Sequence, residues 1–435
     1  MKRVFAPALL YSAVTVAMMY PLLRHLGSVF PHDLGDPVLN TWLLWWSTKQ
    51  VPLTEAWWNA PMFYPAHNAM AFSELLLGIV PLTAVVQGLT HNPVTAYNVA
   101  FLLSFPLCGL AAYALGVELT GRRDAALLGG LAFAFAPYRM GQLAHLQVMS
   151  YYWAPIVLLG LHRYLRTLDV RWLVVFGGAW LLQSLTNGYA LFHVSLLVVL
   201  WLIWFGRDVR IVARILAAWA IAAIPVLPLL LKYREVHTAL HLVRDINEIK
   251  RYSVGLAGLL SPSPELALWG NRLFDTPAEG GIFPGATLLL IGVASFVSWR
   301  VWQFGSHETR TRDEQVLIAL SATAALVGLS VYIVGPWAIG PLTVSELRKP
   351  FSLAVLFRVL AFLRGRWMRR AWREQSIIAF YLIALATMYV LALGPEPRFL
   401  GRPILYQPPY AWLLHVPGFA SLRVPARFAT LIVLC

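Results

Sequence analysis

The sequence is poor in charged residues and almost lacks cysteine. Charged side chains make up 12% of its 435 residues, whereas hydrophobic residues make up 59%. Soluble globular domains carry about 25% charged residues, so this composition excludes an ordinary soluble protein. The two cysteines, Cys108 within an apolar run and Cys435 at the end of the sequence, exclude a disulfide framework and a thiolate metal site.

Acidic residues are also scarce relative to basic ones. Lys and Arg number 34 and Asp and Glu number 20, which gives a net charge of +14. Many of the basic residues fall in short loops between apolar runs, where they determine orientation in a membrane. The excess therefore indicates membrane topology, and we expect no nucleic-acid partner.

Repeated apolar runs dominate the sequence. They are about 17 to 22 residues long, the length that an α-helix needs to cross a bilayer. Their continuity is unlike the alternation of a β-barrel, so the pattern predicts an all-α polytopic membrane protein with about 11 to 12 transmembrane helices. The first run, 4–23, follows Met1, Lys2 and Arg3 and is interpreted as a retained helix with a cytoplasmic N-terminus.

The positive-inside rule orders the remaining runs. Arg122 and Arg123 end the second span, and five arginines follow residue 363, so both groups are placed in the cytoplasm, as is the loop 307–314. Further spans are predicted at 99–119, 125–137, 151–165, on both sides of Asn187, at 215–231, up to about 301, from 316 to 335, and at 350–363 and 377–393. We expect one transmembrane domain over 1–435, and a last apolar run of seven residues predicts a C-terminally incomplete chain.

Three long segments are placed outside the cytoplasm: 24–98, 232–282 and 394–422. The first is rich in Trp, which favours the membrane interface, and is interpreted as helices lying on the membrane surface. Pro81 and Gln87 weaken 71–89 as a full span and favour a re-entrant or surface helix there.

The first outer segment begins with two acids in a tight turn, Asp33-Leu34-Gly35-Asp36-Pro37. Gly35 permits the turn, Pro37 restricts the next φ angle, and the i to i+3 spacing can bring both carboxylates to one side. Two close carboxylates can bind a divalent cation such as Mg²⁺ or Mn²⁺, or shift each other's pKa. The alternative is that Asp36 stabilises the start of a helix that follows Pro37.

Other polar side chains are predicted on the same side of the membrane. Acids, amides and arginines together suit a phosphate-bearing lipid substrate, with arginines for the phosphate and carboxylates for proton transfer. The same residues have alternative roles: the histidines can lie at the membrane interface, the arginines can face lipid headgroups, and the acids can belong to turns. The candidate substrate-binding residues are Asn40, His67, Glu74, Tyr138, Arg139, His145, Gln147, Tyr189, Arg244, Arg251, Glu279, Arg423 and Arg427.

Several short motifs resemble one superfamily of membrane enzymes, over most of the chain. They are Gly35-Asp36-Pro37, Ala60-Pro61-Met62-Phe63-Tyr64-Pro65, Phe72-Ser73-Glu74, Ala96-Tyr97-Asn98, Phe135-Ala136-Pro137-Tyr138-Arg139, His145-Leu146-Gln147, Pro417-Gly418-Phe419 and Leu422-Arg423-Val424-Pro425-Ala426-Arg427-Phe428. With the layout of one span, a long outer loop bearing Asp at its start and then many spans, they are similar to a group of bacterial proteins associated with the GT-C glycosyltransferases.

The resemblance implies a multi-pass enzyme of the bacterial cytoplasmic (inner) membrane. It would move a hexose or pentose from a polyprenyl-phosphate donor to a glycan, lipid or protein acceptor at the extracytoplasmic face, in contact with membrane lipid. The family's catalytic carboxylate, a base or a metal ligand, corresponds to Asp33 or Asp36. Two adjacent acids or Asp-x-Asp are usual in the family, whereas this chain has Asp33-Leu34-Gly35-Asp36.

Two other functions are compatible with the sequence. A transporter or flippase of a polar lipid or lipid-linked glycan would need charged residues in the middle of its spans, but Glu118, Asp124 and Asp208 lie near predicted span ends. A noncatalytic membrane assembly protein would tolerate the loss of both aspartates at the start of the first outer segment.

Overall fold

The chain is mostly helical. A computed structural model describes residues 2–242, 244–270, 279–305, 311–340 and 342–435, with helices accounting for 69%. Strands in the described residues form two short antiparallel hairpins, Trp337–Ile339 with Leu342–Val344 and Arg398–Phe399 with Arg402–Pro403. The predicted all-α class is therefore confirmed. The chain divides into two compact units, Met1–Val243 and Arg244–Val433.

The first unit is built around one long helix, Pro93–Thr120. The Asn92 side chain accepts a hydrogen bond from the backbone N–H of Thr95 at 3.0 Å, and Pro93 occupies the first turn, where a missing N–H costs nothing. The helix ends at Gly121, whose φ of +68° suits glycine. In chain order the α-helices of the unit are Lys2–Met18, Tyr20–Leu23, Asp36–Lys49, Glu55–Trp58, Val80–Thr90, Pro93–Thr120, Arg123–Ala134, Pro137–Met140, Leu146–Met149, Trp153–Thr167, Arg171–Thr186, Gly188–Phe205, Val209–Ala223 and Leu227–Ala239, with 3₁₀ turns at Ala69–Phe72 and Ile224–Val226.

Helix Pro93–Thr120 carries the core of the first unit. It packs against the first helix, both longer helices of the segment 24–98, and helices Arg123–Ala134 and Trp153–Thr167. Its aromatic residues Tyr97, Phe101 and Phe105 are completely buried. Because so many elements contact this helix, its position is well defined. Its N-terminal part can therefore hold the loop that precedes Asp36.

The second unit contains a pair of packed helices, Arg312–Val334 and Arg348–Arg364. The Ser321 hydroxyl donates to the Ala354 carbonyl at 2.8 Å, and Gly328 lies against the Phe351 ring. The α-helices of this unit are Ile246–Arg251, Ala286–Gly305, Arg312–Val334, Arg348–Arg364, Arg366–Arg373, Ile377–Ala392, Pro409–Leu413 and Ala429–Leu434, with 3₁₀ turns at Gly258–Leu260, Phe419–Ser421 and Pro425–Phe428.

Several helices have the length and composition of membrane spans, which indicates a membrane protein. Four meet both conditions within the described residues: Pro93–Thr120, Gly188–Phe205, Arg312–Val334 and the continuous stretch Val209–Ala239, which joins two helices through the 3₁₀ turn Ile224–Val226. A fifth is obtained if Arg366–Arg373 and Ile377–Ala392, bent by 116° relative to each other, count as one span.

The predicted number of 11 to 12 spans is not supported. The helices at the predicted spans 125–137 and 151–165 have 12 and 15 residues. At about 1.5 Å per residue they reach roughly 18 and 22 Å, short of the roughly 30 Å of a hydrocarbon core. The first run is also divided: helix Lys2–Met18 ends before Pro21, and a short helix, Tyr20–Leu23, follows. Counting apolar runs overestimates the number of spans, because hydropathy does not show where a helix breaks within a run.

Other expectations about layout have mixed outcomes. The α-helix that overlaps 71–89, Val80–Thr90, has 11 residues and is shorter than a span, as expected, whereas its place as a re-entrant or surface helix stays a prediction. The loop 307–314 and the segment 232–282 fall partly outside the described residues. The single transmembrane domain, the three outer segments as such and the orientation stay predictions.

An ion pair ties two helices of the first unit together. The Glu118 carboxylate, 4% exposed, near the end of helix Pro93–Thr120, contacts Arg163 and Arg166 of helix Trp153–Thr167, with 3.0 Å to the Arg166 guanidinium. Burial makes this acid costly to leave without its partners. The pair therefore fixes the relative position of the two helices.

We expect Glu118→Gln to lower the free energy of unfolding by about 2 kcal/mol, because two arginines lose a buried carboxylate partner. Equilibrium unfolding in detergent micelles measures the change. The matched control is Asp124→Asn, which breaks an exposed pair with Arg122 at 2.5 Å and should cost much less than Glu118→Gln, because solvent screens an exposed pair. Equal losses in both variants would contradict a structural role for Glu118.

Candidate functional site

Side-chain amides fix the loop that leads to the two candidate acids. Asn98 Nδ2 donates to the carbonyls of Leu26 at 2.8 Å and Val29 at 2.7 Å, and Asn92 Nδ2 donates to the Gly27 carbonyl at 3.1 Å. The Phe30 ring packs edge-on against Tyr97, with 5.5 Å between centroids. Residues 26–30 are thereby attached to the start of helix Pro93–Thr120.

Asp33 closes the turn that follows this loop. Its Oδ1 accepts the backbone N–H of Gly35 at 2.8 Å, and its Oδ2 lies 2.9 Å from His32 Nδ1. The Gly35 hydrogen bond, followed by the contact with His32, lowers the pKa of Asp33 below its usual range. Both oxygens of this carboxylate therefore already have protein partners.

Asp36 has a different environment, although it lies only three residues further on. It is the first residue of helix Asp36–Lys49, where the N-terminal dipole favours a carboxylate. Its Oδ2 lies 3.4 Å from His145 Nε2, and the Asp36 side chain is 46% exposed while that of His145 is 17% exposed. The His145 imidazole therefore contacts one oxygen of the Asp36 carboxylate, and the carboxylate remains partly accessible to solvent.

A buried amide contact lies one helical turn below this pair. Asn40 Nδ2 donates to Gln147 Oε1 at 3.1 Å, and both side chains are almost fully buried. Residues at i and i+4 share a helix face, so Asp36 and Asn40 contact the same short segment, through His145 and Gln147 respectively. The two contacts determine how helix Asp36–Lys49 meets residues 145–147.

Asn187 holds the segment from the other side. Its Nδ2 donates to the Gln147 carbonyl at 3.0 Å, while its Oδ1 accepts the N–H of Tyr189 at 2.7 Å and caps helix Gly188–Phe205. Sequence reasoning placed Asn187 in a turn but did not select it for the site. An Asn directly before a Gly and an apolar run is the signal that indicates such a cap.

Arg139 is a buried positioning residue. Its Nη2 donates to the Met149 carbonyl at 2.9 Å, its Nη1 lies 3.4 Å from Cys108 Sγ, and its guanidinium stands 5.3 Å from the centre of the Phe105 ring. The residue is 2% exposed. These contacts favour a role in fixing helix Leu146–Met149, and substrate binding by Arg139 stays a prediction.

The other candidates of the first unit lie in different surroundings. Glu74 has a buried carboxylate near the start of helix Gly188–Phe205, since a Cβ on Gly188 would lie 3.7 Å from its Oε1. His67 is exposed, whereas Tyr138 and Tyr189 are buried. The structure thus brings together Asp33, Asp36, Asn40, His145 and Gln147.

Three of the four basic candidates of the second unit are paired with carboxylates. Arg427, 5% exposed, donates to Glu279 through Nε at 3.1 Å and Nη2 at 3.5 Å. Glu248 lies 3.5 Å from Arg423 Nη1 and 3.7 Å from Arg244 Nη1. A phosphate at these arginines would have to compete with the acids, so phosphate binding there stays a prediction, as it does for the exposed Arg251.

Glu396 is a further acid of this kind that sequence reasoning did not select. Lys250 Nζ lies 2.9 Å and Arg398 Nη2 2.6 Å from its carboxylate. Burial alone would raise the pKa of Glu396, but the hydrogen bonds from Lys250 and Arg398 outweigh burial and lower it. Its position between two prolines indicates a turn, but the sequence around it does not predict that Lys250 would be a partner.

The described donors do not form a cation site. No group of three or more His, Cys, Asp and Glu side chains in the described part of the chain could hold a metal ion. The i to i+4 spacing of His237 and His241, which sequence reasoning missed, suits a metal only within a helix, but the helix ends at Ala239. His237 Nε2 instead lies 3.2 Å from the Ala71 carbonyl. The acids at 33 and 36 therefore lack a third side-chain ligand in these residues.

Comparison with protein-family models and with curated proteins gives no match for this chain. The geometry around Asp36 and the motifs of the sequence are therefore the basis for inferring a function.

We expect the contribution of Asp33 to local order to depend on pH. Because its folded pKa is lowered, the ionised turn is stabilised above the unfolded pKa of about 3.9, and this stabilisation is lost as the pH falls through the folded value. Amide exchange of residues 34–36, corrected for intrinsic rates, should show protection that declines in acid. Asp33→Asn, which has no carboxylate to protonate, should lack this decline, and an identical decline in the variant would contradict the assignment.

We expect Asn40 and Gln147 to be energetically coupled. In a double-mutant cycle of Asn40→Ala and Gln147→Ala, the first replacement leaves a buried partner unsatisfied and the second costs less, with a coupling of about 1 to 2 kcal/mol. Chemical unfolding of the four proteins measures it. A matched cycle of Asn40→Ala with the exposed His67→Ala should be additive, and additivity in the first cycle as well would exclude the contact.

Proposed function

We propose that the chain is a membrane glycosyltransferase of the GT-C type that uses a polyprenyl-phosphate sugar. In this proposal it is a multi-pass protein of the bacterial cytoplasmic membrane with a cytoplasmic N-terminus, and the reaction occurs at the extracytoplasmic face. The observation that carries the proposal is an accessible carboxylate, Asp36, at the start of a helix and beside His145. The motif resemblance supplies the reaction class.

Asp36 is a better base than Asp33. A general base needs a free lone pair directed at the substrate and an accessible position. Asp33 uses one oxygen for Gly35 and the other for His32, and its lowered pKa makes it a weak proton acceptor. His145 contacts only Oδ2 of Asp36, whereas both oxygens of Asp33 have protein partners; the two side chains are 46% and 58% exposed, so exposure does not distinguish them. We therefore assign the catalytic role to Asp36, and we assign to Asp33 the structural role of stabilising the turn.

The proposed step is a direct displacement. Asp36 takes the proton of the acceptor hydroxyl as the hydroxyl oxygen attacks the anomeric carbon. The bond between that carbon and the donor phosphate oxygen breaks, and polyprenyl phosphate leaves with the bonding electron pair. One attack from the opposite side inverts the anomeric configuration.

His145 acts as a positioning residue for this base. Its Nε2 is 3.4 Å from Asp36 Oδ2, and Gln147, two residues later, is held by both Asn40 and Asn187. A base whose neighbours are themselves fixed keeps its orientation during the reaction. Loss of the imidazole should therefore reduce the rate less than loss of the carboxylate.

The test is transfer of label from a radiolabelled polyprenyl-phosphate sugar pool in membranes that contain equal amounts of each variant. We expect Asp36→Asn to lower product formation by about 100-fold or more, and Asp33→Asn and His145→Gln to lower it less. Asp169→Asn, a change of an exposed acid in a different loop, is the matched control and should be unaffected. A chelator arm of the same assay reports on a divalent cation.

The outcomes separate the alternatives. A greater loss in Asp33→Asn than in Asp36→Asn would reverse the assignment of the base. Equal product in all variants would exclude both acids from catalysis. Saturable movement of the labelled lipid across the membrane without product would identify a transporter or flippase, and neither product nor movement would favour an assembly protein.

A further inference from the structure

The second unit contains a short helix of unusual composition, Arg366–Arg373, with the sequence RWMRRAWR. It follows helix Arg348–Arg364 after the single residue Gly365 and is bent by 116° from the apolar helix Ile377–Ala392. Four of its eight residues are arginines, and Arg364 precedes it. The function proposed above makes no use of this helix.

Helical geometry separates its residues into two faces. At about 100° per residue, all four arginines of the helix fall within roughly 100° of the helix circumference, and the apolar residues occupy the opposite side. The arginines are exposed. On the other face Ala371 is buried and the Trp367 ring packs against Phe362, with 5.5 Å between centroids. The arginine face is therefore directed away from the protein interior.

The acids within the described residues offset only part of this charge. Arg370 Nε lies 2.9 Å from Glu374 Oε1 in an exposed i to i+4 pair. The Glu314 carboxylate lies near Gly365, since a Cβ there would be 3.7 Å from its Oε1. Asp313 adjoins Glu314, and Arg312 offsets it. Five arginines against these acids leave a net positive surface.

The helix lies beside the end of a candidate membrane span. Glu314 is in the first turn of Arg312–Val334, one of the four helices long and apolar enough to cross a bilayer, and it approaches Gly365 at the start of the arginine helix. The apolar helix Ile377–Ala392 begins four residues after its end. Trp367 and Trp372 suit the headgroup level, where aromatic side chains with a polar group are enriched.

We propose that the face formed by Arg366, Arg369, Arg370 and Arg373 binds the anionic headgroups of phospholipids in the adjacent leaflet. Guanidinium groups match phosphate oxygens in charge and in hydrogen-bond geometry, and a cationic segment directly beside a span is held to anionic lipid. The helix lies along the leaflet surface, and this charge complementarity identifies its partner. The proposal is independent of any transferase activity.

The test uses the full chain in lipid nanodiscs and in detergent, with phosphatidylglycerol as the probe and phosphatidylcholine as the neutral comparison. Native mass spectrometry counts the lipids retained per protein. We expect the wild type to retain phosphatidylglycerol preferentially. The combined Arg366→Gln, Arg369→Gln and Arg373→Gln variant should retain roughly tenfold less, and binding should weaken as salt rises from about 0.1 M to about 1 M.

Two control variants distinguish lipid binding at this site from a general effect of net charge, and unfolding curves exclude a loss of folding. Replacing Arg24, Lys49 and Arg171 by Gln removes the same charge from exposed positions outside the candidate spans and should leave retention unchanged. Replacing Arg366, Arg369 and Arg373 by Lys keeps the charge and should preserve most of the retention. Matching thermal unfolding curves show that each variant is folded.

Three results would overturn the proposal. The first is equal retention of the two lipids by the wild type. The second is an equal loss in the variant of Arg24, Lys49 and Arg171, which would indicate a general charge effect. The third is displacement of the lipid by millimolar inorganic phosphate, which would identify a free-phosphate site. Transferase activity measured on the same proteins reports on the proposed reaction separately.

Discussion

The buried hydrogen bonds of asparagine and glutamine side chains hold the first unit's candidate site in place. An apolar interior offers few partners for the carbonyls of a turn, and an unsatisfied buried polar group is costly. Asn98 supplies two donors to the loop at 26–29, and Asn187 both caps a helix and binds the Gln147 carbonyl. Amides can donate and accept at once without bringing a charge into a low-dielectric interior. The position of Asp36 depends on this arrangement.

The two aspartates show how neighbouring residues of one type acquire different roles. Each oxygen of the Asp33 carboxylate has a protein partner, a backbone N–H or an imidazole, so its charge helps to hold the turn. Asp36 begins a helix, where the dipole favours its charge, and it has an accessible side chain with His145 at one edge. Environment and not residue type therefore distinguishes a structural acid from a candidate base.

The second unit's charges fall into two groups. Glu248, Glu279 and Glu396 bring basic residues together from distant parts of the chain and neutralise them locally. The arginines of helix Arg366–Arg373 are instead exposed on one face, and one of them, Arg370, pairs with Glu374. The first arrangement favours internal cohesion, since buried charges require partners, and the second favours an external anionic surface.

Local sequence patterns determined the helical class, the long apolar helices and several helix ends. Asn92-Pro93 starts a helix and Asn187-Gly188 starts another, because a cap acts on the residues directly after it. The predicted 11 to 12 spans are not supported, since an apolar run continues through breaks such as that before Pro21 and through helices of only 12 to 15 residues.

The candidate acids could also be selected from the sequence, but only the tertiary structure decided their roles. The contact between Asn40 and Gln147 joins residues 107 positions apart, and that between Asp36 and His145 is similarly distant. The partners of Arg427 and Arg423 lie 148 and 175 positions away. Caps and turns depend on neighbours in the chain, whereas these pairs exist only after packing has brought the helices together.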